Sequence, residues 1–346
     1  DLDGDGIVEI VLNDYISPVV QVVNNLGQVK KEFTKSGKTI GSVVISDINN
    51  DHVPEILIGK NVFSYEAGLL YTTDWSKASI AFDANNNGNQ EMLTGGGLYD
   101  VNGVQLWQYG EPGTMWFSSV ANLDDDLNPE IVISNPSNKL EDSVFAVLEH
   151  NGNVKWQITN PNNLGGGVQA VSTFLGTKDL GIVYAGYTAV DMYNANGDLV
   201  WTVANDDEWS GKIGVSAYDF NGDGIDEVIV QDHYKVRVLN SLNGEVLSTV
   251  ANSSGTLWEY PIVVDLEGDD NAELVVVSNN TDSRYSINNG VTVYGAADES
   301  KPWKNATRIW NQHSYHQTNI SQDGKVPEVE KPSWLNNNTY RSSTIK

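Results

Sequence analysis

The strongest constraint on this chain is a ladder of oxygen-bearing side chains that returns six times. Asp1-Leu2-Asp3-Gly4-Asp5-Gly6-Ile7-Val8-Glu9 is the first copy, and an apolar run, Ile10-Val11-Leu12, follows at once. The register recurs at Asp47, Asn49, Asp51 and Glu55, at Asp83, Asn85, Asn87 and Glu91, and at Asn122, Asp124, Asp126 and Glu130. It recurs again at Asp219, Asn221, Asp223 and Glu227, and at Asp265, Glu267, Asp269 and Glu273. Oxygen side chains hold positions 1, 3 and 5, and Glu holds position 9. First positions are separated by 46, 36, 39, 97 and 46 residues. The gap of 97 is about twice the others, so it should contain a copy whose ladder has decayed. A fixed period of this size is the signature of a repeat architecture.

The second half of each unit carries a turn signal: Leu26-Gly27, Asn102-Gly103, Asn151-Gly152, Asn196-Gly197 and Asn243-Gly244. Asn-Gly between alternating apolar residues is a strong hairpin marker. The strand after it often holds a tryptophan, as in Leu106-Trp107, Lys155-Trp156 and Val200-Trp201. Asn196-Gly197 lies inside the long gap and locates the decayed unit. Its strands are expected over 168–173 and 181–185, joined by a loop, 175–179, without the ladder. The second unit shows the full pattern: strand 42–46, loop 47–55, then strands 56–59, 62–65 and 69–73.

Sustained helical periodicity is absent from this region. The expectation is an all-β chain: a seven-bladed β-propeller of four-stranded antiparallel blades over residues 1–300. Residues 301–346 break the period. They should supply a C-terminal strand, Ala306–Trp310, as the outer strand of the last blade, and an irregular tail packed on the propeller. Asp1 already stands in the first loop, so the first strand of blade one comes either from upstream chain or from Thr339–Ile345.

Alternating oxygens at 1, 3 and 5 with a carboxylate a few residues on are how a loop wraps a hard cation. Ca²⁺ takes six to eight oxygens in a flexible shell. Position 7 (Ile7, Val53, Asn89, Asn128, Ile225 and Asn271) shares no side-chain chemistry and would give a backbone carbonyl. An EF-hand needs its Glu at position 12 and flanking helices, and neither is present. Nitrogen and sulfur ligands suited to zinc or copper are missing. Up to six Ca²⁺ are therefore expected, one per acidic loop, with none in the fifth blade. They would bring the net charge of −26 to −14, and their role is expected to be chiefly structural.

The 46 acidic residues against 20 basic ones repel nucleic-acid phosphate. No apolar run would span a bilayer. With no cysteine, disulfides and thiol chemistry are excluded.

The loops resemble FG-GAP/VCBS repeats of integrin-α-like β-propellers over roughly residues 1–300. The likeness is most specific at D-x-D-G-D-G-x-x-E, Asp1–Glu9, and D-x-N-G-D-G-x-x-E, Asp219–Glu227. It departs in the fifth unit, and the phenylalanine-glycine element is poorly kept. The resemblance implies seven blades with calcium between the first two strands of each. It also implies an extracellular adhesion or ligand-binding module, although some related propellers are polysaccharide lyases.

The tail resembles segments that follow such propellers in large secreted bacterial surface proteins. Trp310, His313, Tyr315, His316 and Trp334 either line a ligand pocket or form a half-buried belt. Trp75, Trp116, Trp209 and Trp258 are further binding candidates. His233, Tyr234 and Lys235 are candidates by type for a lyase base. The expected function is a secreted, cell-surface binding or adhesion module for a carbohydrate or protein ligand, next to other domains of a larger chain. The alternatives are a polysaccharide lyase and a rigid spacer in a surface filament.

Overall fold

A computed structural model describes residues 1–345 except 15, 38–40, 75–76, 125, 138–142, 160–164, 208–209, 256–257 and 286. Its strands form seven antiparallel sheets, each built from strands consecutive in sequence. Sheet 1 comprises Ile10–Asn13, Val19–Val23 and Val29–Thr34. Sheet 2 comprises Val43–Ser46, Glu55–Ile58, Asn61–Ser64 and Gly68–Thr72. The leading strands of sheets 3 to 7 are Ser79–Phe82, Phe117–Ala121, Ala170–Ser172, Val215–Tyr218 and Ile262–Val264. Sheets 2 to 6 have four strands and sheets 1 and 7 have three. The described residues contain no α-helix, only 3₁₀ turns at Ser283–Tyr285 and Ser333–Leu335.

Leading strands of successive sheets touch one another from sheet 2 to sheet 6, which sets the sheets around an axis in a propeller-like ring. The inner strands are buried along their whole length, as in Glu55–Ile58, Glu91–Thr94 and Glu130–Ser134. A neighbouring sheet covers each face, so the sequence there is a continuous apolar run rather than an alternation. Strands far from the axis return to solvent, as Val246–Ala251 does.

The tryptophans after the turns are clasps between sheets. A Cβ on Gly152 would meet the Trp107 ring at 2.7 Å, and one on Gly197 would meet Trp156 at 2.8 Å. Tyr71 lies against Gly103 and Trp201 against Gly244 in the same way. Each indole also donates to a carbonyl of the next sheet: Trp107 to His150 (3.1 Å), Trp156 to Ala195 (2.9 Å) and Trp201 to Ser241 (2.7 Å). The turn glycine thus serves two ends: it adopts positive φ (+85° at Gly152) and leaves room for the ring of the preceding sheet.

The second unit matches its expected strands to within one or two residues. In the fifth unit the strands are Ala170–Ser172 and Gly181–Ala185, joined by a tight turn in which Leu175 N–H donates to Asp179 O and Asp179 N–H to Gly176 O. Two expectations need correction, and one of two open alternatives falls. Four strands are not present in sheets 1 and 7 among the described residues. Ala306–Trp310 is not an outer strand of sheet 7: the Thr307 carbonyl accepts from Asp265 N–H, just past the leading strand, and Thr307 N–H donates to Ser343 O. Thr339–Ile345 does not pair with sheet 1. Tyr340 bridges Val171 of sheet 5, Ser342 bridges Ala217 of sheet 6, and Thr344 bridges Ala306. The backbone hydrogen bonds of both segments go instead to one another and to residues in or next to the leading strands of sheets 5 to 7.

The tail runs across the ends of the leading strands where the acidic loops begin. Gln312 Oε1 accepts from Ile45 N–H (2.8 Å), Asn338 Oδ1 from Asn122 N–H (2.9 Å), and Thr344 Oγ1 from Asp219 N–H (2.9 Å).

Candidate functional site

All six acidic loops share one hydrogen-bond plan. The Glu at position 9 turns back to the start of its loop, where Oε2 accepts the position-2 N–H. The pairs are Glu9 with Leu2 (2.6 Å), Glu55 with Ile48 (3.1 Å), Glu91 with Ala84 (2.9 Å), Glu130 with Leu123 (2.5 Å), Glu227 with Phe220 (2.8 Å) and Glu273 with Leu266 (3.0 Å). The first-position aspartate collects N–H groups from the bend. Asp47 accepts from Asp51 and His52, Asp83 from Asn87 and Gly88, and Asp219 from Gly222, Asp223 and Gly224. Asp1 and Asp265 do the same. Position 5 accepts the position-7 N–H at Asp5, Asp51, Asn87, Asp126, Asp223 and Asp269. Backbone donors therefore hold most of the loop oxygens in place, and in three loops the position-3 asparagine adds its amide to the other Glu oxygen: Asn49 to Glu55 (3.2 Å), Asn85 to Glu91 (3.0 Å) and Asn221 to Glu227 (2.8 Å). Asn122 departs from the plan: it accepts from Asp124 N–H and donates to the Asp126 carbonyl.

The position-9 carboxylates are the electrostatic centre. Glu55, Glu91 and Glu130 are at most 2% exposed. Burial, then the loop's own negative charges, pushes Glu55 and Glu227 up to about 7. Burial dominates at Glu91 and Glu130 too, both also raised to about 7. Burial, then the charges of Asp269, Glu267 and Asp265, raises Glu273 as well. A carboxylate desolvated among like charges needs a cation to stay ionised. All-oxygen donor sets, backbone-ordered loops and these strained carboxylates fit a hard divalent cation.

Sequence reasoning missed that three loops carry an internal cation. Lys30 Nζ contacts Asp3, lies 2.7 Å from Asp5 and 3.1 Å from Glu9. Lys155 Nζ lies 2.5 Å from Asp124, 3.3 Å from Glu130 and 3.1 Å from Glu149. Arg308 reaches Asp265 (3.4 Å) and Asp270 (3.7 Å). Hydrogen bonds from the lysines hold Asp5 and Asp124 below the usual carboxylate range. Carboxylate oxygens of Asp1, Asp3 and Glu9, and of Asp124, Glu130 and Glu149, already lie within 4.8 Å of one another. The signal was available: Lys30 and Lys155 each fall three residues after a turn glycine, Gly27 and Gly152. Neighbouring loops are also tied together, Asn50 Nδ2 donating to Gly88 O and Asn86 Nδ2 to Leu127 O (3.1 Å).

The five aromatic and histidine candidates of the tail are not gathered in one pocket. Trp334 is buried, its indole N–H donating to Leu127 O (3.3 Å) and its ring packing against Phe82. Tyr315 is buried and stacked on Trp310, centroids 4.5 Å apart. His316 is stacked on Tyr340 and ion-paired with Glu330. Burial opposes the charge on His316, but the Glu330 carboxylate wins and raises its pKa. Trp310 and His313 border a groove of about 900 Å³ beside sheet 7, and Trp258 lines it too. Trp116 is buried, and Trp75 and Trp209 lie outside the described residues. His233 is 1% exposed and 3.3 Å from Asp207, while Lys235 pairs with Asp206 (3.2 Å). No described helix is long and apolar enough to cross a membrane.

Neither a protein-family model nor a curated protein sequence matches the chain. Solved structures do. The rhamnogalacturonan lyase YesW superposes with a TM-score of 0.55 at 13% identity, covering 81% of this chain and 58% of that one. BamB from Moraxella catarrhalis gives 0.51 at 14% identity over 91% and 92%. At such identities the likeness is one of fold. The V. cholerae biofilm matrix protein Bap1 is of another order, with a TM-score of 0.96 and 36% identity over 100% of this chain and 84% of that one. This chain belongs to the family of Bap1.

Proposed function

We propose that this chain is a calcium-stabilised, extracellular adhesion-type module that binds a carbohydrate or protein ligand on a face of the propeller. The observation that carries the reading is the 36% identity, over the whole chain, to a biofilm matrix protein. The loop chemistry supports the calcium. In each acidic loop the side chains at positions 1, 3 and 5 and the Glu at 9 would hold the ion, joined by the position-7 carbonyl. Bound there, it would offset the crowded carboxylates and lock the rim through which neighbouring loops are linked. The polar, strongly negative surface suits a secreted matrix, and neighbouring domains of a larger chain would complete the adhesin. An adhesive role is favoured over lyase chemistry because His233 is shut in by Asp207.

The test has two arms. Calorimetric melting in calcium against excess chelator should show a large reversible loss of stability on chelation, because a ligand of the native state stabilises it. An array of polysaccharides and matrix proteins, probed with the calcium-loaded chain, should give saturable binding without turnover. A melting point indifferent to chelator removes the calcium, and catalytic cleavage of a bound glycan removes the adhesive reading.

A further inference from the structure

Six of the seven sheets share one irregularity in their outermost strand. A single residue there falls out of the pairing, so the strand steps two residues where its neighbour steps one. In sheet 1 the register passes from Val22–Lys31 to Val23–Val29 and skips Lys30. The residue skipped is Leu70 in sheet 2, Leu106 in sheet 3, Lys155 in sheet 4, Val200 in sheet 5 and Leu247 in sheet 6. These are β-bulges, and a bulge re-aims one side chain.

The repeats can be compared with one another at this position. Leu70, Leu106, Val200 and Leu247 are 42% to 51% exposed, so burial does not account for an aliphatic side chain there. In sheets 1 and 4 the same position holds lysine, and the side chain turns into the acidic loop of its own sheet. Lys30 Nζ meets Asp3, Asp5 (2.7 Å) and Glu9 (3.1 Å). Lys155 Nζ meets Asp124 (2.5 Å), Glu130 (3.3 Å) and Glu149 (3.1 Å). Apart from Glu149, these are loop positions 3, 5 and 9, whose oxygens a calcium ion would use.

Loop position 3 changes together with the bulge. It is Asp3 and Asp124 in the two loops that meet a lysine, and Asn49, Asn85 and Asn221 in the loops of sheets 2, 3 and 6, whose bulge is leucine. Each asparagine donates its amide to its own Glu and brings no charge. Each aspartate brings a charge, and the ammonium meets it. Sheet 5, with Val200 at the bulge, has lost its ladder.

An ammonium has three donors, and each of these lysines has three carboxylates around it. The side chains of Glu9 and Glu130 are fully buried, so the ammonium offsets a charge that water does not reach. A metal ion can take those oxygens only by expelling the lysine.

We propose that the bulged residue of the outermost strand selects the cation of its loop. Lysine makes the loops of sheets 1 and 4 self-neutralised and weak for calcium, and leucine leaves the loops of sheets 2, 3 and 6 to the metal. This selection rests on the calcium reading above, whereas the lysine contacts stand without it. Calcium then holds three sheets of the ring conditionally, and two are held at any calcium level.

The experiment is hydrogen exchange read by mass spectrometry on the whole chain, in calcium and in chelator, with calcium titrated by calorimetry. Chelation should speed exchange in the loops of sheets 2, 3 and 6 and leave those of sheets 1 and 4 unchanged. Leu247→Lys places a lysine at a half-exposed position, where nothing need repack. It should make the loop of sheet 6 indifferent to chelator, remove one tight calcium and raise the melting temperature in chelator. Lys155→Leu should make the loop of sheet 4 respond to chelator and tighten its calcium about tenfold or more, the worth of a charged hydrogen bond. Exchange that quickens alike in all five loops overturns the selection and keeps the calcium. So does a sheet 6 loop that still answers to chelator in folded Leu247→Lys. No response in any loop, with no calcium bound, removes the calcium reading and this selection with it.

Discussion

Neutralising Glu227 should change sign with calcium. The residue is 6% exposed, and burial followed by the charges of Asp219, Asp223 and Asp226 raises it to about 7 from an ordinary 4.5. At pH 8 without metal the folded chain must keep this carboxylate ionised. At 1.36 kcal/mol per unit, that costs about 3 kcal/mol relative to the unfolded chain. Glu227→Gln removes the charge. The amide can accept from Phe220 N–H or Asn221 Nδ2, but not from both as the carboxylate does at 2.8 Å each, which returns about 1 kcal/mol. The net effect in chelator at pH 8 is stabilisation of about 2 kcal/mol. For a chain of 346 residues this is a rise in melting temperature of about 3 °C. In calcium the same substitution removes a ligand and should lower the melting temperature. Paired scans of wild type and variant, with calcium and with chelator, read both signs. If the variant loses the same stability in both conditions, Glu227 is an ordinary hydrogen-bonded carboxylate and the electrostatic argument fails.

Three further outcomes follow from the same geometry. In chelator, stability should rise as pH falls from about 7.5 towards 5. Glu55, Glu91, Glu130 and Glu227 take up protons in the folded state before the unfolded one does, and a melting temperature that falls over that window contradicts this. Lys30→Met and Lys155→Met together should tighten calcium binding at the first and fourth loops in a calorimetric titration, because each ammonium competes for the same oxygens. Unchanged affinity would show that the lysines swing clear. Trp156→Ala should cost about 3–4 kcal/mol in denaturant unfolding, through lost packing on Gly197 and the lost bond to Ala195 O. A cost below 1 kcal/mol would demote the clasp to surface contact.

The loops were legible because their information is local. Nine residues carry both the oxygen register and the Glu that closes the loop on its own second N–H, so periodicity alone places them. The fifth unit was found by its turn, Asn196-Gly197, although its ladder is gone. The tryptophans were visible as strand markers but not as clasps, since Trp107 meets Gly152 across a sheet boundary that no local pattern encodes. The tail was least legible. His313, Tyr315, His316 and Trp334 lie in a stretch without period, and composition suits a belt and a pocket equally. Only the fold shows that His313 turns to the axis while Tyr315 and Trp334 are packed away. Arg341 gave no sign of its burial, because nothing in Thr339–Ile345 says that the segment threads between sheets 5 and 6.

That threading sets the order in which the molecule can be assembled. Each sheet is made of neighbouring strands and can form as soon as its residues are available. The seal across the axis couples Ile45 to Gln312, 267 positions apart. Contacts of such long range form late, because the intervening chain must first be confined. Until residues 306–345 are in place, the ends of the leading strands at Ile45, Asn122 and Asp219 lack their bonding partners. The ring of sheets is therefore expected to persist as an open, incompletely closed intermediate. Arg341 would be the last bolt driven home, and a chain stalled before it would leave the centre of the ring wet.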